Sequence, residues 1–309
     1  MQYPQVLLLG NGINQAFNGG SWDDMLKAIT TRKDLPLKLS SPMPLRAELV
    51  SEGNLDKQLK SPGFQKQWFG GLVSEEQKRF LQAVLNVPAD EFLTTNYSYE
   101  LEAAALGCDC PAKKQIQKMA DHTAQVKRCE SQYRFYTYNH LPQGQRVWHI
   151  HGEARSPGSM VLGHYFYGNN VAIMRSYLAN RGKSYRRREN SGRRKEIKSW
   201  LDAFILGDVY VLGFGFNLAE FDLWWLLNRK KREQATHGKV YFYEPRNSGF
   251  DEKIELLKLM DVETIDCGIA KDTNGNCNYK KFYHKALNDI MFKINHAKNE
   301  ENNHVKICD

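Results

Sequence analysis

Six short apolar runs alternate with longer stretches of helical pattern along this chain. The runs are rich in β-branched and aromatic residues and end in turn residues, so they predict strands at 5–9, 91–94, 147–150, 208–213, 239–244 and 262–266. The other stretches predict helices at 21–30, 74–86, 97–106, 112–130, 193–206, 218–234, 250–260 and 279–296. This alternation favours an α/β fold, a Rossmann-like open parallel sheet with helices on both faces.

Two regions interrupt the alternation. Residues 35–72 are rich in Pro, Gly and Ser and show little periodicity. Residues 107–146 combine a polar helical pattern with an aromatic run, which predicts a small helical module inserted between strands. We therefore expect one domain over residues 1–297 that contains this insertion, followed by a flexible polar tail at 298–309.

Glycine and polar residues follow three of the predicted strands. The first strand runs into Gly10-Asn11-Gly12, which is typical of a strand that turns into a helix beside a phosphate. Asn96 follows the second strand and His151 the third. Ligands of open α/β sheets bind beyond these strand ends, so one crevice would hold all three motifs. Each motif alone also fits a plainer role: a tight turn, a helix N-cap or a structural His.

Net charge is the main compositional signal. It is +8 with a pI near 9, so polyanions are plausible partners. The densest basic segment runs from Arg181 to Lys198. A solvated surface explains this segment best, and a contact with nucleic acid or an acidic protein is the alternative.

The apolar and cysteine patterns point to a cytoplasmic protein. No apolar stretch reaches the length of about 18 residues that a membrane span needs, and we identify no signal peptide. The 6 cysteines are scattered, which suits a reducing compartment. Cys108 and Cys110 cannot assemble four zinc ligands at usable spacing, so no metal is expected.

The order of the motifs resembles that of the sirtuin family. Gly-x-Gly, Thr-x-Asn-Tyr and His-Gly are followed by a second glycine turn, Gly213-Phe214-Gly215-Phe216-Asn217. The pattern is most similar to the sirtuin-like NAD hydrolases of bacterial anti-phage defence and spans roughly residues 6 to 267. The resemblance implies NAD as the substrate, and it selects His151 over His149 because the family's His directly precedes Gly.

The chemistry of NAD cleavage suits the two candidate catalytic residues. Nicotinamide leaves as a neutral molecule, so the reaction needs a positioned nucleophile and stabilisation of an oxocarbenium-like ribose. The amide of Asn96 can hold a water or a ribose hydroxyl, since it both donates and accepts hydrogen bonds. The imidazole of His151 can take a proton near neutral pH.

The remaining candidate residues would bind NAD. Gly10, Asn11 and Gly12 would allow the backbone to approach the pyrophosphate, and Asn14 could add a side-chain hydrogen bond. Two glycines of the second turn, Gly213 and Gly215, would lie near the adenosine half. Glu244 ends a predicted strand and could accept from ribose hydroxyls, although a plain surface carboxylate fits equally well. The resemblance implies Asp266 near adenine.

Departures from the sirtuin pattern favour hydrolysis over deacylation. Asn11 and Asn14 replace the usual Ala and Ser, Thr95 replaces the usual Gln, and the paired Cys-x-x-Cys ribbon is missing. We therefore expect an NAD glycohydrolase that depletes NAD during phage infection. The alternatives are an NAD-dependent protein deacylase and a catalytically silent nucleotide-binding module.

Regulation is expected to come from assembly. An enzyme that depletes NAD must have low activity in its resting state, and no attached sensor domain of a familiar kind is evident. We expect a homo-oligomer, a separate activating protein such as a DNA-translocating ATPase, or both. The 107–146 module could cover the crevice, and Arg181–Lys198 is the candidate contact segment.

Overall fold

The fold is seen in a computed structural model that describes residues 3–29, 41–50, 57, 59–69, 72, 74–123, 130–189, 196–233, 238–246, 251–268 and 277–307. Within these ranges, 8 strands form one sheet in the order β3-β4-β5-β2-β1-β6-β7-β8. The strands are β1 (Gln5–Leu9), β2 (Glu91–Thr94), β3 (Ala120–His122), β4 (Thr137–His140), β5 (Arg146–His149), β6 (Asp208–Leu212), β7 (Val240–Tyr243) and β8 (Val262–Ile265).

All six predicted strands are confirmed, and they are the parallel part of the sheet. β1 pairs in parallel with β2 on one side and with β6 on the other. β2 pairs in parallel with β5, β6 with β7, and β7 with β8. The α/β open sheet predicted from the sequence is therefore confirmed.

The order of the strands reverses beside β1. From β1 the chain builds outward through β2 and β5, then returns to place β6 on the opposite side of β1. Such a reversal leaves a crevice beyond the carboxyl ends of the strands, where ligands of this fold class bind. Leu9, Thr94, His149 and Leu212 are the last residues of the strands that border this point.

Apolar side chains of the central strands alternate between two cores. Leu7 and Leu9 pack in one cluster, and Val6 and Leu8 pack in the other. Because both faces of the sheet are covered, β1 is fully buried, as its apolar run predicts.

Helices cover both faces of this sheet. The helices that the structure describes are α1 (Gly12–Ala16), α2 (Trp22–Ile29), α3 (Met43–Val50), α4 (Pro62–Trp68), α5 (Glu75–Leu85), α6 (Glu100–Leu106), α7 (Lys113–Met119), α8 (Glu130–Tyr136), α9 (His164–Glu189), α10 (Trp200–Leu206), α11 (Phe221–Arg232), α12 (Glu252–Leu259) and α13 (Tyr279–Ile307). α3 and α4 fall in the region that shows little periodicity. In the part of the chain that the structure covers, no helix has the length and apolarity of a membrane span.

The segment 107–146 is not purely helical, which corrects the prediction of a small helical module. It contains α7 and α8, but β3 and β4 pair in an antiparallel manner and extend the main sheet beyond β5. β4 is half-buried, with Thr137 and Asn139 inward and His140 outward. The aromatic run that precedes it favours a strand at a half-buried edge as much as a helix.

Helix α9 was not predicted from the sequence. Its inward face carries Tyr167, Asn170, Met174 and Leu178 at helical spacing, all buried. Because Asn170 interrupts the apolar stripe, the helical pattern is hidden in the sequence.

The final helix also departs from expectation. α13 continues to Ile307, so the backbone at 298–307 is helical where the sequence predicts a flexible tail.

Candidate active site

A crevice of about 530 Å³ lies beyond the carboxyl ends of the central strands. Both glycine turns, the loop after β2 and His151 in the turn after β5 contribute to it, as do α2, α3, α9 and the start of α13. Its lining includes Asn11, Gly12, Gln15, Trp22, Met43, Thr95, Tyr97, His151, Tyr167, residues 213–217, Glu220, Glu244, Tyr279 and Tyr283. Six candidates from the sequence line this crevice: His151, Asn11, Gly12, Gly213, Gly215 and Glu244.

The two glycine turns are joined by their backbones. The Gly10 N–H donates to the Leu212 carbonyl at 3.0 Å, and the Gly12 N–H donates to the Gly213 carbonyl at 2.8 Å. A Cβ atom built on Gly10 would lie 2.4 Å from the Gly213 carbonyl oxygen. Gly10 is therefore required by the second turn and lies outside the crevice lining, and the Gly12 N–H is already bonded within the protein.

Gly215 differs from the other glycines of the turns. A Cβ atom built there would meet nothing within 4 Å. Gly215 is exposed and lines the crevice, so the backbone of the second turn is open to a ligand.

Asn14 lies outside the crevice, in contrast to its expected contact with NAD. Its Nδ2 donates to Glu100 Oε1 at 3.0 Å and to Asn11 Oδ1 at 3.2 Å. Its Oδ1 accepts from Gln77 Nε2 at 2.9 Å. The first turn of α1 directs this side chain into the protein, where it joins three elements in a buried polar network.

Asn96 borders the crevice without opening into it. Its neighbours Thr95 and Tyr97 line the crevice, whereas its own side chain lines a separate cavity of about 10 Å³ beside Glu100. Asn96 Oδ1 is buried and has no hydrogen-bond partner. A buried amide oxygen without a partner is costly, and this polar cavity has about the space that one water needs.

The structure separates the two histidines. His149 ends β5 beneath the site, with Nδ1 2.8 Å from the Asn96 carbonyl oxygen and Nε2 3.0 Å from Glu102 Oε1. Burial opposes its protonation, but the Glu102 carboxylate outweighs burial and raises the pKa of His149 to about 9. His149 is thus a buried, charged partner of Glu102 and does not line the crevice.

His151 lies two residues after the end of β5, on the wall of the crevice. Gly152 adopts a φ of +88°, and a Cβ atom built on it would lie 2.2 Å from the Ser159 carbonyl oxygen. Glycine after His151 is therefore required by this turn. The His151 ring meets the Tyr167 ring edge-on at 5.6 Å, and its Nε2 lies 3.1 Å from Asp222 Oδ2.

A buried chain of hydrogen bonds fixes the carboxylate of Asp222. Its Oδ2 accepts from Asn170 Nδ2 at 2.6 Å, and its Oδ1 accepts from the Leu223 N–H at 2.8 Å. Asn170 Oδ1 in turn accepts from Arg134 Nε at 2.9 Å. Because each member is held by the next, the position of His151 is set by side chains from three helices.

Glu220 completes the acidic side of the site. Its Oε2 accepts from the Tyr167 hydroxyl at 2.6 Å. Burial opposes protonation of His151, but Asp222 and then Glu220 outweigh burial and raise its pKa. Burial raises the pKa of Glu220, while its attraction to His151 acts in the opposite direction. Burial raises the pKa of Asp222. The attraction to His151 and the hydrogen bonds that Asp222 accepts outweigh burial, so this pKa is lowered overall.

The sequence reasoning missed the roles of these side chains. Neither Glu220 nor Asp222 is among the candidates from the sequence, and Tyr167 belongs to helix α9, which was not predicted. Glu220 occupies the N-cap position of α11, but its side chain makes no capping hydrogen bond. The sequence did contain one signal for this part of the site. Two carboxylates, Glu220 and Asp222, follow shortly after the glycine turn that faces the crevice.

These residues also form a group of metal-ligating types. His151, Glu220 and Asp222 each place one ligand atom within 4.8 Å of the others, and among the described residues this is the one such group. Each residue already has a hydrogen-bond partner within the protein. The expectation that the protein carries no metal stays a prediction, which elemental analysis of the purified protein would test.

The two predicted residues at the far strand ends have different positions. Glu244 lines the crevice, and its carboxylate is paired with Lys253. Asp266 is exposed and outside the crevice lining, where its Oδ1 accepts from the Gly268 N–H at 2.9 Å. The predicted adenine contact through Asp266 therefore has no counterpart in this geometry.

The described residues of the two predicted regulatory segments do not line the crevice. Among the described residues of 107–146, none is part of the crevice lining, and Met43, Tyr167 and Tyr279 border it instead. In the basic segment, Arg181 forms an ion pair with the buried Asp202 at 2.9 Å, which is a structural role. Residues 190–195 of that segment lie outside the described residues.

Comparison with known proteins identifies the family. A family model for a SIR2-like domain matches residues 90–265. No curated protein matches the chain. The matched segment includes Asn96, His151, Glu220, Asp222 and the second glycine turn, and a SIR2-like domain fits NAD-related chemistry. Since the match covers more than half of the chain, the protein belongs to the SIR2-like domain family.

Proposed function

We propose that the protein is an NAD glycohydrolase that cleaves NAD to nicotinamide and ADP-ribose. The observation that carries this proposal is His151, a buried imidazole on the wall of the crevice with Asp222 behind it. A histidine that is held by a buried carboxylate and faces a ligand crevice is a suitable proton acceptor.

The crevice has the size and position that a dinucleotide requires. Its volume of about 530 Å³ falls within the common range for ligand sites, about 300–1,000 Å³. It lies where the strand order reverses, and the open backbone at Gly215 allows close approach of a ligand. Gly213 and Asn11 also line the crevice.

Hydrolysis requires one water and one proton acceptor. The water oxygen attacks ribose C1′, the bond from C1′ to the nicotinamide nitrogen breaks, and its electron pair leaves with neutral nicotinamide. The proton lost by the water goes to His151. Because Nε2 faces Asp222, Nδ1 is the nitrogen that takes this proton. The orphaned Oδ1 of Asn96 supports a role for this amide in holding a water beside the crevice.

Nicotinamide release by the purified protein tests the function. We expect His151→Ala and Asn96→Ala each to lose about 10²–10⁴-fold in turnover while remaining folded. His149→Ala is the matched control, which we expect to retain activity if it remains folded. Because His149 is paired with buried Glu102, unfolding of each variant must be measured alongside turnover.

The assay also separates the hydrolase from the alternatives. Release without any peptide supports hydrolysis. Release only in the presence of an acyl-lysine peptide would indicate a deacylase, and NAD binding without release would indicate a silent module. Full activity in His151→Ala would overturn the mechanism.

We propose that this activity depletes NAD during phage infection and that assembly with itself or an activating protein, such as a DNA-translocating ATPase, switches it on. We expect turnover per chain to rise with protein concentration or with the partner. The test is cellular NAD after infection, in wild type and His151→Ala. Equal NAD loss in both would contradict the defence role, and turnover independent of concentration and partner would contradict regulation by assembly.

A further inference from the structure

Glu220 and Glu244 are both acidic side chains of the crevice lining, but their surroundings differ. Glu244 is neutralised by Lys253. Among the described residues, no Lys or Arg forms an ion pair with Glu220, whose Oε2 is held by the Tyr167 hydroxyl at 2.6 Å. Glu220 therefore presents to the crevice, beside His151, a carboxylate that no described Lys or Arg neutralises.

The position of Glu220 is not explained by the stability of its helix. It is the N-cap residue of α11, yet its side chain does not bond the helix N–H groups. It turns instead to Tyr167, whose ring also packs on the rings of His151 at 5.6 Å and Phe221 at 5.5 Å. A carboxylate kept half-buried and away from its capping partners costs free energy, so a gain elsewhere must offset that cost.

Cleavage of the bond to nicotinamide offers such a gain. As nicotinamide departs, positive charge spreads over ribose C1′ and the ring oxygen. A fixed negative group in a partly dehydrated site stabilises this charge more than it stabilises the starting NAD, where the charge lies on the pyridinium ring. Asn96 carries no charge, and a protonated His151 would oppose the developing charge.

We propose that Glu220 is a catalytic carboxylate, which in its ionised form stabilises the positive charge that develops on ribose, and that Tyr167 positions it. This inference rests on the proposed hydrolase function. It assigns to the site a charged residue that the sirtuin-like motifs alone do not identify.

The test compares Glu220→Gln with wild type in steady-state nicotinamide release and in ADP-ribose binding by calorimetry. Gln keeps the shape and can still accept from Tyr167, so only the charge is lost. We expect kcat to fall about 10²–10³-fold, while the Kd for ADP-ribose, which has lost the reacting bond, stays the same. Glu263→Gln, an exposed residue of β8, is the matched control and should leave kcat unchanged.

Two further variants keep the test decisive. Glu220→Asp retains the charge and should keep more kcat than Glu220→Gln, even if the Gln variant folds poorly. Tyr167→Phe keeps the ring but removes the hydroxyl, so it should lower kcat less than Glu220→Gln and leave ADP-ribose binding intact.

The outcomes distinguish this role from the function itself. Loss of release in His151→Ala with kcat retained in Glu220→Gln would overturn the role of Glu220 alone. An equal loss of kcat/KM and ADP-ribose affinity would make Glu220 a binding residue and also overturn the inference. No nicotinamide release by the wild type under any assembly condition would overturn the hydrolase function and this role together.

Discussion

Individual side chains carry most of the chemistry, and the two histidines illustrate what the sequence alone can tell. The His-Gly pair identifies His151 by resemblance, and the structure adds the physical reason, since Gly152 is needed for the turn that aims His151 at the crevice. The partner of His151, Asp222, lies 71 residues further along the chain, and Asn170, which holds Asp222, comes from a different helix. Sequence patterns do not record such distant pairing, so this half of the site could not be predicted.

Replacement of Asp222 by Asn should change the pH dependence of turnover. Asp222 raises the pKa of His151 against the opposing effect of burial. Because neutral His151 accepts the proton, turnover should rise with pH through that pKa. In Asp222→Asn the rising limb should move to lower pH, and the maximal kcat should fall about 10²-fold because the imidazole is no longer oriented.

The measurement is a pH profile of kcat for both proteins. Glu220 remains near His151 in the variant and still raises its pKa, while Arg134 and burial still lower it, so only part of the upward effect is lost. A profile with an unchanged midpoint would show that Asp222 does not set the protonation of the catalytic residue.

His149 leads to a prediction about stability. Its pKa is about 9 in the folded protein against an ordinary value of 6.5, because Glu102 outweighs burial. The contribution of this pair is therefore fully present below about pH 6.5 and is lost as pH rises through about 9. Removal of one partner of a buried pair costs about 3–5 kcal/mol, so His149→Gln should be less stable by roughly that amount near pH 6.

Denaturant unfolding of wild type and His149→Gln at several pH values checks this. The difference in unfolding free energy should shrink between pH 6.5 and 9. A difference that stays constant over this interval would mean that His149 is already neutral in the folded protein.

At the scale of elements, regular patterns were predictable and interrupted ones were not. β1 and β6 are apolar after their first residue and bounded by turns, and their limits agree with prediction to within one residue. α9 was missed because Asn170 stands on its buried face. β3 was missed because it is short and polar, and only its pairing with β4 makes it a strand.

The contact between the two glycine turns leads to a prediction about the stability of the protein and its binding of NAD. A Cβ on Gly10 would meet the Gly213 carbonyl and Phe214 Cα at 2.4 and 2.5 Å, so Gly10→Ala must push the turns apart. We expect a loss of about 1–3 kcal/mol in the free energy of unfolding, together with weaker NAD binding.

Gly215→Ala is the matched comparison. Its added methyl group meets open space, so stability should be preserved while NAD binding weakens if the ligand approaches this backbone. Thermal unfolding and calorimetric titration with NAD measure both quantities. Equal stability of wild type and Gly10→Ala would contradict the close contact of the turns.

For the whole molecule, the family match and the sheet do not have the same extent. The match begins at residue 90, whereas the crevice depends on β1, which lies between β2 and β6. The parallel fold was predictable because alternation of strands and helices is a property of the entire chain. The antiparallel extension of the sheet and the lining of the crevice by α3, α9 and α13 depend on tertiary packing. They could therefore not be predicted from the sequence.

The central position of β1 also has a consequence for biosynthesis. Gln5 contacts Asp90 and Asp208, which lie 85 and 203 residues away in sequence. At about 5–20 residues per second, the ribosome delivers β6 some 10–40 s after β1 has emerged. During that interval the apolar strand Gln5–Leu9 has an open edge, and such edges promote aggregation. Chaperones that bind nascent chains should therefore determine how much of this protein reaches its native state.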